Sequence, residues 1–447
     1  MFSFLFKKSR FHFLFMGFAC VWTSSMSAQT QPAAAVSLAA DPGVRAGAPA
    51  AGTAISGLSP AQMSQFQAAQ NTFAEVDSVS GTMPGEPGTG LGPSFNMNSC
   101  AGCHAFPAIG GSSPKQNPQI AVATMYGAQN KIPSFLSLDG PVREVRFKKN
   151  ADGTPDGGVH DLFVIAGRTD AEGCTMTQTD FAAQASANNV SFRVPTPTFG
   201  GGLIESIPDA AILANKAANA NLKTLFGISG HENRTGNDGT ITRFGWKAQN
   251  KSLTIFAGEA YHVEQGVTNL VFPNPRETVG NCDYNGHPED QTDVAAFATF
   301  MRLLAPPAPA TSYGTVTASS IQHGHDAFVL AGCALCHTES LTTGASSVSA
   351  LSNQNARLFS DLLVHHMGSG LADGISQGNA GGDEFRTAPL WGLGQRIYFL
   401  HDGRTSDLLE AIQAHTGPGS EANNSIGIFS RLPAATKQDV LNFLRSL

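Results

Sequence analysis

Two short runs, Cys100-Ala-Gly-Cys103-His104 and Cys333-Ala-Leu-Cys336-His337, repeat one pattern: two cysteines with two residues between them, then histidine at once. That spacing is mechanical. It lets both thiols add to the vinyl groups along one porphyrin edge and drops the next imidazole under the metal, so each run reads as an attachment point for covalently bound haem c. Zinc would need four protein ligands, and neither half of the chain holds a second C-x-x-C. A redox dithiol would need a βαβ setting that the surrounding sequence lacks.

Working outward, the chain has 447 residues, too many for one such module and enough for two or three compact units. Hydrophobic residues make up 41%, which supports real cores, and charged residues only 14%. The 48 glycines and 25 prolines predict much loop. A net charge of −7 without a basic block excludes a nucleic-acid partner. Lys7, Lys8 and Arg10 precede an apolar stretch at 11–23 and small residues up to Ala28, which predicts a signal peptide over 1–28. The stretch is shorter than the roughly 20 residues a span requires, so no membrane span is expected and the mature chain is placed in the periplasm. Gly17-Phe18-Ala19-Cys20 is a poor lipid-attachment pattern. Of seven cysteines, Cys20 leaves with the signal and four serve the two motifs. Cys174 and Cys282 remain, as a disulfide in an oxidising compartment or as two separate buried thiols.

Residues 29–58 are Ala, Gly, Pro and Ser with almost no large apolar side chain, and read as a flexible leader. Ser59-Pro60 predicts a capped helix start. Ala305-Pro306-Pro307-Ala308-Pro309 reads as a stiff linker dividing 59–305, around the first motif, from 306–447, around the second. In the second part, residues 325–330 lead helically into Cys333, Ser406 is expected to cap a helix carrying Leu408, Leu409 and Ile412, and Thr436 one carrying Val440, Leu441 and Leu444. An internal echo joins the parts: Phe192-Arg193 runs through Pro195 to Gly200 and Gly202, and Phe385-Arg386 through Pro389 to Gly392 and Gly394. The expected fold is mainly α and loop-rich, with two cytochrome c-like haem domains, the first enlarged by insertions.

The run 384–394, Glu-Phe-Arg-Thr-Ala-Pro-Leu-Trp-Gly-Leu-Gly, followed by Phe399-Leu400-His401-Asp402-Gly403-Arg404, resembles the second half of the bacterial dihaem cytochrome c peroxidases. More closely it resembles their subfamily of dihaem oxidoreductases, also called thiol oxidoreductases. Leu91-Gly92-Pro93-Ser94-Phe95-Asn96, residues 192–207 and Arg243-Phe244-Gly245-Trp246-Lys247-Ala248 are similar to the same subfamily, so the likeness runs from residue 60 to the end. It implies electron entry at the C-terminal haem from a small periplasmic donor protein such as a cytochrome c, and reduction of a small oxidant, peroxide, at the N-terminal haem. The rivals are a pure electron-transfer cytochrome, a thiol or sulfur-compound oxidoreductase, and an oxygen-dependent modifying enzyme.

Residue by residue, the likeness implies His104 and His337 as proximal ligands. His415 stands where the peroxidases have a distal Met, and a second imidazole there stabilises the ferric state. His160 is the single histidine in the interval that carries the displaceable distal ligand of the N-terminal haem, with Met125 and Met176 as rivals. Val263-Glu264-Gln265-Gly266 matches the setting of the peroxidases' acid/base, so Glu264 is the first candidate for proton transfer and Glu205 the second. His401 and Arg404 are read as propionate anchors, His365 as bonded to a propionate or backbone, and Trp246 as an inter-haem relay or plain packing. A calcium ion without assigned ligands and a homodimer are also compatible with the likeness.

Overall fold

The computed structural model describes residues 38–47, 49–276, 281–282 and 290–447; the signal peptide and the leader before Leu38 lie outside the described residues. Residues 38–447 form one compact unit. Its helices recur in one arrangement. Pro60–Ala74 packs on Asp290–Leu303, and Ala318–Leu330 packs on Ala434–Ser446. Each first helix leads into a haem motif: the first precedes the short Cys100–Cys103 helix, and the second ends just before the turn Cys333–Leu335.

Local sequence explains the helix ends. Ser59 Oγ accepts from the Gln62 backbone N–H while Gln62 Oε1 accepts from Ser59 N–H, a capping box with Pro60 at the first helical position. The helix Leu408–Gln413 is capped by Asp407 and not by Ser406, because the Asp407 carboxylate reaches the Glu410 N–H at 3.0 Å. The last helix begins at Ala434 after Pro433, so Thr436 lies inside it. Its Val440, Leu441 and Leu444 are buried as expected.

The echo is structural as well as sequential. A Cβ on Gly202 would collide with the Arg302 carbonyl, and one on Gly394 with the Arg445 carbonyl. Each Gly-x-Gly therefore admits the C-terminal end of its own half's last helix, an approach only glycine permits.

A three-stranded antiparallel sheet lies in the first half, with Glu144–Phe147 between Val159–His160 and Val190–Arg193. Alternation along it matters later. Val145 and Phe147 face the core, whereas Glu144, Arg146 and Arg193 face the first cavity.

The leader gives way to a different picture over 38–58. Asp41 holds Arg445 through two contacts of 2.8 and 2.6 Å and accepts from the Leu408 N–H. Ile55 N–H donates to Leu303 O, while Ala305 and Ala308 of the Pro-rich linker donate to Thr53 O and Ala50 O. Ala51 and Ile55 bury their side chains in the main core, and backbone hydrogen bonds with one buried ion pair hold the rest of the segment, contacts that an Ala/Gly/Pro-rich composition hardly registers. Cys174 and Cys282 are disulfide-bonded. Among the described residues no helix is long and apolar enough to cross a membrane.

Candidate functional site

The first cavity is lined by Cys100, Cys103 and His104. His104 Nδ1 lies 3.0 Å from Gly111 O. With that proton donated to the carbonyl, Nε2 keeps a free lone pair, the arrangement that orients a metal-binding imidazole. Burial pushes the ring down to about 4, so it is neutral. The second cavity is lined by Cys333, Cys336 and His337. Here His337 Nδ1 lies 3.0 Å from Phe359 O, and burial likewise takes the ring to about 4.

Whether these cavities suit a haem can be tested on the side chains around them. All four motif cysteines stay out of the disulfide that joins Cys174 and Cys282, and each pair lines a cavity beside its own motif histidine. Burial and then the nearby Glu264 push Cys100 and Cys103 well up, and burial pushes Cys333 to about 12. Buried guanidinium atoms supply a second test. Arg143 Nε and Arg193 Nε at the first cavity, and Arg386 Nε at the second, have no hydrogen-bond partner. Arg396 also lines the second cavity, where burial pushes it down to about 10. Buried donors left unmatched call for anionic acceptors, and haem propionates meet that need. The residues fit the group.

The distal sides differ. His415 lines the second cavity together with the same motif residues. Its Nδ1 lies 2.8 Å from Ala411 O, one turn back, which leaves Nε2 free as at His337. Burial lowers its pKa, so it too is neutral. Met367 and His401 share that cavity. At the first cavity no histidine other than His104 is found among the described residues. Glu264 is there instead, at the C-terminal end of the helix Leu253–Glu264, and Glu259 and Glu144 also line the cavity. Burial, reinforced by Glu144 and Glu259, raises Glu264 to about 8.

Several sequence candidates lie elsewhere. His160 is not at the cavity: paired with Val145 across the sheet, it takes the face opposite Glu144 and Arg146. There it stacks on Phe147 at 3.7 Å and meets Asp156 at 2.8 Å. Met125 and Met176 belong to the hydrophobic core behind that sheet. Glu205 pairs with Arg302 at 2.6 Å and accepts from Leu253 N–H at 2.8 Å, so it fixes a helix start instead of facing the cavity. Arg404 is turned outward by its Asp-Gly-Arg turn and bonds Asp402 and Gly370 O. His365 is buried between two carboxylates, Asp361 at 2.9 Å and Glu421 at 2.7 Å, and not on backbone.

Trp246 borders both cavities, its Nε1 donating to Val194 O at 3.0 Å. His401 stacks on Phe385 at 4.2 Å and meets Trp246 edge-on at 6.4 Å. The cavity arginines were missed by sequence reasoning, yet a signal existed. Arg193 and Arg386 are the arginines of the two Phe-Arg echoes, one at each cavity. Of the His, Cys, Asp and Glu groups among the described residues, Cys336, Asp361 and His365 alone have ligand atoms all within 4.8 Å of one another. Thiol and imidazole are not calcium ligands, and Cys336 belongs to the second cavity.

The family model described as "Di-haem oxidoreductase, putative peroxidase" matches residues 145–447. Among solved structures, hydrazine synthase of Kuenenia stuttgartiensis, pressurised with xenon, is similar at 13% identity, covering 86% of this chain and 87% of that one with a TM-score of 0.37. A MauG-like protein associated with microbial copper homeostasis is similar at 16% identity, covering 57% and 90%, with a TM-score of 0.28. Both superpositions are too loose to bear on the site. No curated protein matches the chain.

Proposed function

The chain belongs to the di-haem oxidoreductase family, and on that footing we propose a periplasmic dihaem c-type cytochrome of peroxidase type. In this reading the C-terminal haem domain, 306–447, takes electrons from a small donor protein such as a cytochrome c. The enlarged N-terminal domain, 59–305, reduces hydrogen peroxide. When bound, haem c supplies an iron that stores single electrons and, with one face open, accepts an oxidant. Cys100, Cys103, Cys333 and Cys336 would hold the two groups by thioether bonds, His104 and His337 by axial imidazole. Arg143, Arg193, Arg386 and Arg396 would meet their propionates.

The observation that carries this reading is the inequality of the distal sides. His415 offers a second neutral imidazole beside His337, which suits a closed electron-transfer centre. The His104 cavity is offered Glu264 in the corresponding space. Reduction of peroxide to two waters consumes two electrons and two protons, and the O–O bond breaks only as its outer oxygen is protonated. Glu264 can take the proton of the inner oxygen and return it to the outer one. Trp246, which borders both cavities, is the side chain between the two centres.

Electron paramagnetic resonance of the haem-loaded protein, fully oxidised and half-reduced, tests this directly. Cyanide should perturb the N-terminal haem signal and leave the C-terminal one unchanged, and peroxide should be turned over with a reduced donor. His415→Ala should abolish the bis-histidine signal. A haem-two signal untouched by His415→Ala, or no cyanide response at either haem, would overturn the assignment.

A further inference from the structure

Away from the motif residues, one buried carboxylate joins side chains that belong to both cavities. Asp373 lies on the long loop, 367–383, between the hairpin strands Val364–His366 and Glu384–Arg386. Its Oδ2 accepts from Arg193 Nη2 at 2.8 Å, across 180 residues of sequence. Its Oδ1 lies 3.1 Å from Lys247 Nζ and accepts from Ile375 N–H at 2.9 Å. Water hardly reaches the three side chains: Arg193 is 4% exposed, Asp373 and Lys247 0%.

Each cation of this cluster serves a different cavity. Arg193 lines the first, its Nη atoms taken by Asp373 and by Gln377 Oε1 at 2.6 Å, its Nε without a partner. Lys247 follows Trp246 in sequence, donates to Gly381 O and Glu384 O at 2.8 Å each, and sits 4.1 Å over the Phe385 ring. Phe385 lines the second cavity and stacks there on His401. Backbone spans the same gap, Val194 N–H donating to His401 O at 2.8 Å. Burial holds His401 down to about 4; Asp402 and then Asp373 oppose this, and Arg193 adds to it. The Arg193–Asp373 pair of the first cavity thus reaches a wall of the second. Two cations share one carboxylate, which leaves one positive charge in excess. With so little water to screen them, these charges act strongly on their surroundings.

We propose that Asp373 is a positioning residue shared by the two haem sites. It fixes Arg193 at the first cavity, holds the Lys247 ammonium against the aromatic wall of the second, and so sets the reduction potentials of both haems together. This rests on the two haems of the reading above, but not on peroxide as the oxidant.

The test is a mediated redox titration of the haem-loaded full chain without peroxide, followed by electron paramagnetic resonance so that the two haems are read separately. Asp373→Asn removes one negative charge at nearly constant shape. Both midpoint potentials should rise, because surplus positive charge favours each ferrous form. Breaking a buried ion pair also lowers stability, so melting temperature alone does not identify the role. The double variant Asp373→Asn, Lys247→Met restores the parent's net charge and serves where the single variant fails to fold. In it the C-terminal haem should return towards its parental potential while the N-terminal haem stays raised, since only Arg193 still lacks its counter-ion. A lower melting temperature with both potentials unchanged in Asp373→Asn, or a shift at one haem alone, would overturn the proposal. So would parental potentials at both haems of the double variant. A chain inert to peroxide whose two potentials both rise in Asp373→Asn would refute the peroxidase reading and support this one.

Discussion

Around residues 100–104 and 333–337 the chain builds the same half of a site twice. Each has a motif histidine whose Nδ1 lies 3.0 Å from a backbone carbonyl oxygen, and a Phe-Arg arginine with an orphaned Nε. Each also has a glycine that admits the carbonyl of a terminal-helix arginine. The other halves have diverged. One cavity receives a neutral imidazole at His415, the other a carboxyl group whose proton is held to about pH 8. On the proposed reading, repetition of the motif half with divergence of the facing half would let one scaffold provide two different redox environments. An imidazole closes a coordination position, whereas a carboxyl group leaves it free and adds a proton.

The largest expected effect comes from removing that proton carrier. Glu264→Gln keeps the shape and loses the titration, and should lower peroxide turnover by about 10²–10⁴-fold with the haem spectra unchanged. The sign of the pH dependence follows from the raised pKa. The carboxylate form must accept first, so kcat/KM for peroxide should rise with pH along a limb near 8, where the free enzyme's Glu264 ionises. That limb should be missing from the variant. Parental turnover in Glu264→Gln would remove the distinction between the two distal sides.

How far the sequence could see is itself uneven between the halves. The C-x-x-C-H runs were legible because the covalent attachment they are read for would fix their spacing locally. Glu264 and His415, picked out through neighbouring motif residues, each line one of the two cavities, and the Phe-Arg and Gly-x-Gly echo was legible through repetition. His160 misled because order along the chain says nothing about strand face: the pairing Val145↔His160 turns its ring away from the cavity. Glu205 misled because its partner Arg302 lies 97 residues away. The leader was misread for a related reason: Asp41 and Arg445 are joined across 404 residues. Long-range pairing of polar groups leaves no periodicity to read.

A middle-sized effect tests whether the anchoring halves are equivalent in energy as well as in geometry. Gly202→Ala and Gly394→Ala each push a methyl group into a backbone carbonyl, Arg302 and Arg445 respectively, which only a helix shift can relieve. Each should cost about 1–3 kcal/mol, read as a lower melting temperature of the haem-loaded protein. Similar losses would sharpen the correspondence. A parental melting temperature for one of the two would show that only the other half depends on the close approach.

The smallest expected effect separates arginines that sequence reasoning could not tell apart. Arg386 is buried at the second cavity with its Nε unpaired, and burial lowers its pKa to about 10. Arg404, eighteen residues later in the same motif, bonds Asp402 and Gly370 O at the surface. Removing a buried positive charge beside the C-terminal haem favours its ferric form, so Arg386→Met should lower that haem's midpoint potential in a spectroelectrochemical titration. Arg404→Ala removes only a solvated ion pair, and should change stability by no more than about 0.5 kcal/mol and leave the potential where it was. If Arg404→Ala shifted the potential as far as Arg386→Met, the propionate anchor would have to be reassigned to the exposed arginine. The correspondence of Arg386 with Arg193 across the two cavities would then lose its functional meaning.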